Sequence, residues 1–143
     1  MKHLFIALCA TLYLCMSAYA ASGGPGVTSE QALQMLKEGN ARYLSGKPVH
    51  PRQGDDRRAE TVSGGQKPFA TIVGCSDSRH SLEILFDQGI GDIFVVRVAG
   101  NIAGPSEVGS IEYGAGHLHT PLLVILGHSH CGAVTAAAQN AKT

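Results

Sequence analysis

Neither sign of charge is in excess in this chain. Eleven Lys and Arg stand against eleven Asp and Glu over 143 residues, with a pI near 7. That balance gives no basic stripe for nucleic acid and no polybasic face for an anionic membrane. Internal repeats and low-complexity tracts are absent, tryptophan is absent, and cysteine is limited to 4 residues. What is present is ordinary: 44% hydrophobic residues and 18 glycines describe a soluble α/β composition of one domain, not a disordered chain.

The one long apolar run lies at the start. Lys2 precedes an almost unbroken apolar stretch from Leu4 to Met16, and Ala18-Tyr19-Ala20 places small residues where signal peptidase needs them. Residues 1–20 therefore read as a secretory signal, cleaved after Ala20, with 21–27 a flexible leader and 28–143 the folded domain. The run is short for a membrane span, and neither Cys9 nor Cys15 has the preceding small residue of a lipid-anchor site. An exported, periplasmic or secreted protein follows, with no membrane attachment after cleavage. Only Cys75 and Cys131 then remain. Two cysteines in an exported protein ordinarily read as one disulfide.

Thr28-Ser29-Glu30-Gln31 has the form of a capping box, and Leu33, Leu36, Tyr43 and Leu44 recur at helical spacing, predicting a helix from Ser29 to Leu44. Lys47 to Lys67 is polar and reads as a solvated loop with at most one helical turn. The chain then alternates: a strand over 69–74, a short helix over 81–86, a strand over 93–98, a helix from Ser106 to about Leu118, a strand over 122–126 and an alanine-rich helix over 133–140. Strands one and three lack polar alternation, which predicts a parallel sheet covered on both faces, flanked by helices. Ligands bind at the carboxyl ends of such strands.

Two clusters lie at those ends. Gly74-Cys75-Ser76-Asp77-Ser78-Arg79 follows the first strand, and Gly127-His128-Ser129-His130-Cys131-Gly132 follows the third. Zinc accepts thiolate and imidazole ligands, and a catalytic site keeps three protein ligands and one open position. Cys75, His128 and Cys131 supply such a set. His128-x-x-Cys131 lets two ligands come from one turn at a helix opening, while His130 between them points elsewhere.

Cys75-Ser76-Asp77-Ser78-Arg79, Phe94 to Asn101, Ser110-Ile111-Glu112-Tyr113 and Gly127 to Val134, in that order, resemble the β-class carbonic anhydrases. The resemblance implies one zinc per chain on Cys75, His128 and Cys131. It implies a lyase, carbonate dehydratase, that hydrates carbon dioxide reversibly to bicarbonate and a proton through a zinc-bound hydroxide. Asp77 and Arg79 become a catalytic dyad, with Asp77 a fourth zinc ligand in a closed form. Gln66, Phe94, Ala99 and Tyr113 become substrate-binding residues, Gln66 reaching substrate across the interface of a homodimer or higher even oligomer. No nucleic acid is implied.

Three departures accompany the resemblance. His80-Ser81 follows the arginine where Val-Pro is common. Ile72 occupies the position of a tryptophan that some members use in a regulatory bicarbonate site. The resemblance also implies a further strand and helices beyond Thr143, so the domain reads as truncated after the third strand and its following helix. His80 is a candidate proton carrier, and His117 and His119 close a helix, where they favour its dipole. Other readings are the same zinc fold acting on another small cumulene such as carbon disulfide, a disulfide-bonded exported binding domain, and a non-functional remnant.

Overall fold

The computed structural model describes residues 24–140, so the predicted signal at 1–20 lies outside the described residues. Helix α1 spans Ser29–Leu44, as the capping box predicts: Thr28 Oγ1 accepts from the Gln31 amide at 3.2 Å and Gln31 Oε1 accepts from the Thr28 amide at 2.8 Å. The following segment corrects the loop expectation, because Asp55–Gly64 forms a ten-residue helix, α2. It buries no residue, so it carries no apolar periodicity that could be read. Polar contacts anchor it instead. Arg57 Nε donates to the Ile90 carbonyl at 2.8 Å, and its Nη2 lies 3.6 Å from Asp92.

Strands β1 (Ala70–Cys75), β2 (Ile93–Val98) and β3 (Leu123–Leu126) form a parallel sheet in the order β2-β1-β3. Between them run α3 (Leu82–Leu85) and α4 (Pro105–Glu112), which widens into a π-turn over Tyr113–His117. Helix α5 (Gly132–Asn140) follows β3. No described helix is long and apolar enough to cross a membrane.

Every residue of β1 is buried, because the central strand has neighbours on both edges and layers on both faces. On one face Ala70 and Ile72 pack with Ala32 and Leu36 of α1, Leu82 of α3 and Ile93 of β2. On the other, Thr71 meets Thr120 oxygen to oxygen at 2.7 Å, and Gly114 of the π-turn lies close against Thr71. The expectation that β3 is covered on both faces is corrected. Leu123 and Ile125 are exposed at this sheet edge, while Val124 and Leu126 pack on the α1 core. All four side chains are apolar, so period-2 burial left no mark on the strand's composition.

Candidate metal centre

Parallel strands end on the same side, so the loops after β1, β2 and β3 converge. Register pairs Cys75 with Val98 and Gly74 with Leu126, which brings the segments that follow each strand to one level. Cys75 is buried and Cys131 half-buried, with their sulfurs 3.8 Å apart. That gap is far beyond a disulfide bond. It is close to the spacing of two sulfurs held tetrahedrally on one zinc at about 2.3 Å each, which is about 3.8 Å.

The third donor is His128. Its Nδ1 pairs with the Ser129 carbonyl at 2.9 Å, which makes Nδ1 the protonated nitrogen and leaves the Nε2 lone pair free in a neutral ring. Nε2 is buried and completes no hydrogen bond. It faces Cys75 closely enough to matter: when Nε2 carries a proton, its attraction to the sulfur is the largest cause drawing the Cys75 thiol down to about 6, ahead of the Asp77 and Gly100 amides. The same contact raises the His128 pKa, and in the neutral ring the Nε2 lone pair is the metal donor. Those amides point at the Cys75 sulfur from 3.4 and 3.3 Å. Gly100 does so from φ +75°, a conformation natural to glycine. One ligand atom from each of Cys75, His128 and Cys131 lies within 4.8 Å of the others. A thiolate-stabilising shell, an orphaned buried nitrogen and two sulfurs at ligand spacing together fit a zinc ion.

Beside these donors, Asp77 takes three hydrogen bonds from Arg79. The Arg79 amide and Nε donate to Oδ1 at 3.0 and 2.9 Å, and Nη2 donates to Oδ2 at 2.8 Å. The side-chain bonds from Arg79 are the largest cause holding the Asp77 carboxyl well below the usual carboxylate range. Asp77 Oδ2 stands 4.0 Å from His128 Nε2. Arg79 Nη2 also donates to the His130 carbonyl at 3.2 Å, joining the two cluster loops. His130 thus contributes its backbone here and is not among the three grouped ligands.

Sequence reasoning overlooked Arg97. From β2 it donates through Nε to the Cys75 carbonyl at 3.0 Å and through Nη2 to the Asp77 carbonyl at 2.7 Å, clamping the loop that carries the dyad. An arginine inside the otherwise apolar run Ile93–Val98 was the available signal.

The four predicted substrate-binding residues separate. Ala99 lines a cavity of about 240 Å³ with Cys75, Asp77, Cys131 and Ala133. Gln66 and Tyr113 line a different cavity of about 470 Å³ with Thr61, Gly91 and His117. Phe94 packs against Tyr113 with ring centroids 5.8 Å apart, and His117 stacks on Tyr113 at 4.7 Å. His117 therefore has an aromatic partner as well as its place at the helix end. His80 is 4% exposed, and burial chiefly lowers its pKa, so the proton-carrier expectation is corrected: a carrier needs solvent and an accessible charged form.

A family model described as carbonic anhydrase matches residues 70–143. Carbonic anhydrase 2 of Mycobacterium tuberculosis is 52% identical over 113 residues, covering 79% of this chain and 54% of that protein. The carbonic anhydrase of Mycolicibacterium smegmatis is 51% identical over 112 residues, with 78% and 54% covered. Among solved structures, the β-carbonic anhydrase CcaA superposes with a TM-score of 0.55 at 32% identity, covering 77% of this chain and 54% of that one. One of two tetrameric β-carbonic anhydrases of Sordaria macrospora gives 0.54 at 31% identity, with 76% and 54% covered. The chain spans about half the length of the curated relatives it matches.

Proposed function

This chain belongs to the carbonic anhydrase family, and from that premise we propose that it hydrates carbon dioxide reversibly to bicarbonate and a proton. The observation that carries the reading is the convergence of Cys75, His128 and Cys131 beside an ionised carboxylate, at the mouth of a small cavity. Zinc, when bound there, supplies a Lewis acid that makes water a nucleophile near neutral pH.

The chain's own groups do the rest. Asp77, kept ionised by Arg79, is an acceptor only, so it orients a water beside the ligand set by taking its hydrogen bond. Arg79 occupies both carboxylate oxygens and thereby keeps Asp77 from becoming a fourth ligand. Ala99 and Ala133 give the cavity an apolar wall suited to a small neutral substrate. Gln66, Phe94 and Tyr113 stand apart from that cavity within one chain, which supports their acting on the site of a second copy in a homodimer or larger even oligomer. The composition of residues 1–20 supports export and cleavage after Ala20.

The test uses the chain purified under reducing conditions. About one zinc per chain, two titratable thiols in the mature form and rapid proton release on mixing with carbon dioxide are expected. A protein with neither zinc nor free thiols is a disulfide-bonded domain instead, and the reading falls. Mass spectrometry of the exported fraction checks the signal: a mature chain that begins at Ala21 is expected.

A further inference from the structure

His80 has no function in the reading above, yet it is one of the more buried polar residues, 4% exposed, immediately after the dyad. Its Nε2 is buried without a hydrogen-bond partner, so an aliphatic side chain would fill the same space without that cost. The ring touches the metal centre from behind. Its centroid lies 5.2 Å from that of His128, tilted by 37°. The backbone of Leu126, the last residue of β3 and two positions before His128, lies near enough to favour the protonated ring.

On its other side the ring fills the space over Gly74. A Cβ at Gly74 would stand 3.0 Å from His80 Cδ2 and 3.1 Å from Nε2. Glycine inside a strand weakens it, and its usual reason is close approach by another group. Here His80 shares that space with Leu82, whose Cδ1 would stand equally close at 3.0 Å, and the next residue is the ligand Cys75. The His80 amide meanwhile donates to the Asp77 carbonyl at 2.9 Å, the same oxygen that receives Arg97 Nη2. One side chain therefore meets the strand that ends in Cys75, the strand that leads to His128, and the ring of His128 itself.

We propose that His80 is a positioning residue of the metal centre, which holds the ends of β1 and β3 in register and backs the His128 ring so that its Nε2 faces the two cysteines. Groups that orient a ligating histidine typically change metal affinity by about 10–100-fold when removed. The proposal rests on the zinc-centre reading, and the experiment separates the two.

Zinc affinity is measured by chelator competition on the parent, His80→Phe, His80→Leu and His80→Gln chains, with cobalt substitution to read ligand geometry from the absorption spectrum. A parent that binds no zinc overturns the metal centre itself, before any variant is compared. With a binding parent, His80→Phe and His80→Leu are expected to bind zinc about 10-fold more weakly and to shift the cobalt bands. His80→Gln, which retains a polar donor in the same place, is expected to recover most of the affinity. Folded Phe or Leu variants within twofold of the parent, with unchanged cobalt spectra, overturn the proposal whatever their melting temperatures. Failure of both to fold, or a Gln variant no better than Phe, assigns His80 to packing alone and overturns it equally.

Discussion

At the scale of single residues, two of the buried or half-buried carboxylates, Asp77 and Asp87, have opposite uses. Asp77 lies beside the ligand set with its carboxylate hydrogen-bonded by Arg79, whereas Asp87 is 2% exposed and ties loops together. Asp77→Asn keeps the shape but removes the charge, so zinc should remain bound while hydration slows about 10–100-fold, read by stopped-flow proton release. Arg79→Ala frees both carboxylate oxygens, and zinc-loaded protein with sharply reduced hydration is the expected result. Unchanged activity in both variants would remove the dyad from the mechanism.

Asp87 accepts from Arg42 Nε at 2.6 Å, the Val49 amide at 3.1 Å and the His50 amide at 2.9 Å. Burial alone would raise its pKa, but Arg42 and the two amides outweigh it and hold the carboxyl at about 2. A depressed folded pKa means that the unfolded chain takes up a proton first as pH falls. Asp87 therefore contributes fully above about pH 4, the ordinary carboxylate value, and progressively less as pH falls toward 2. Asp87→Ala should cost about 2–3 kcal/mol at neutral pH, because it leaves two amides and a partly buried guanidinium unpaired. Denaturant titrations at pH 7 and pH 3 should show that difference shrinking on acidification.

At the scale of elements, the contact between α1 and α3 depends on Gly39. A helix interior normally gains up to about 1 kcal/mol from glycine to alanine. Here the added Cβ would collide with the Phe86 carbonyl, a backbone atom that cannot rotate away. Overpacking costs about 1–3 kcal/mol, and the upper end applies to a backbone obstacle. Gly39→Ala is thus expected to destabilise by about 2 kcal/mol in urea unfolding, against the propensity scale. Helix α2 illustrates the converse, since Arg57 holds it through Ile90 and Asp92 and no apolar stripe betrays it in sequence.

At the scale of the whole molecule, the separation of Gln66 and Tyr113 from the metal cavity is the consequential observation. If Gln66 serves a second copy's site, a Gln66→Ala chain and an Asp77→Asn chain complement each other. Random mixing of the two, each poorly active alone, should restore roughly a quarter of parent activity, because half of the dimers carry one intact site of two. No recovery above the average of the two variants would place Gln66 outside a shared site. Removing zinc with a chelator should also lower Tm by several degrees, since a ligand at 100 times its Kd stabilises by about 2.7 kcal/mol.

The sequence by itself determined the helix over Ser29–Leu44, the three strands and the chemistry of the two clusters, because these rest on local signals. A capping box, continuous apolar runs and a Cys-x-Asp-x-Arg spacing are all carried by neighbouring residues. Only the tertiary structure decided the sheet order β2-β1-β3, the helix at Asp55–Gly64, the exposed face of β3, the clamp by Arg97 and the burial of His80. Each of these depends on partners 20 or more positions away, or on which neighbour covers a face, as Arg97 bonded to the carbonyls of Cys75 and Asp77 makes plain. The cluster of Cys75 with Cys131 belongs to both levels. Residue type set what the two sulfurs can bind, and parallel pairing of β1 with β3 set the 3.8 Å between them.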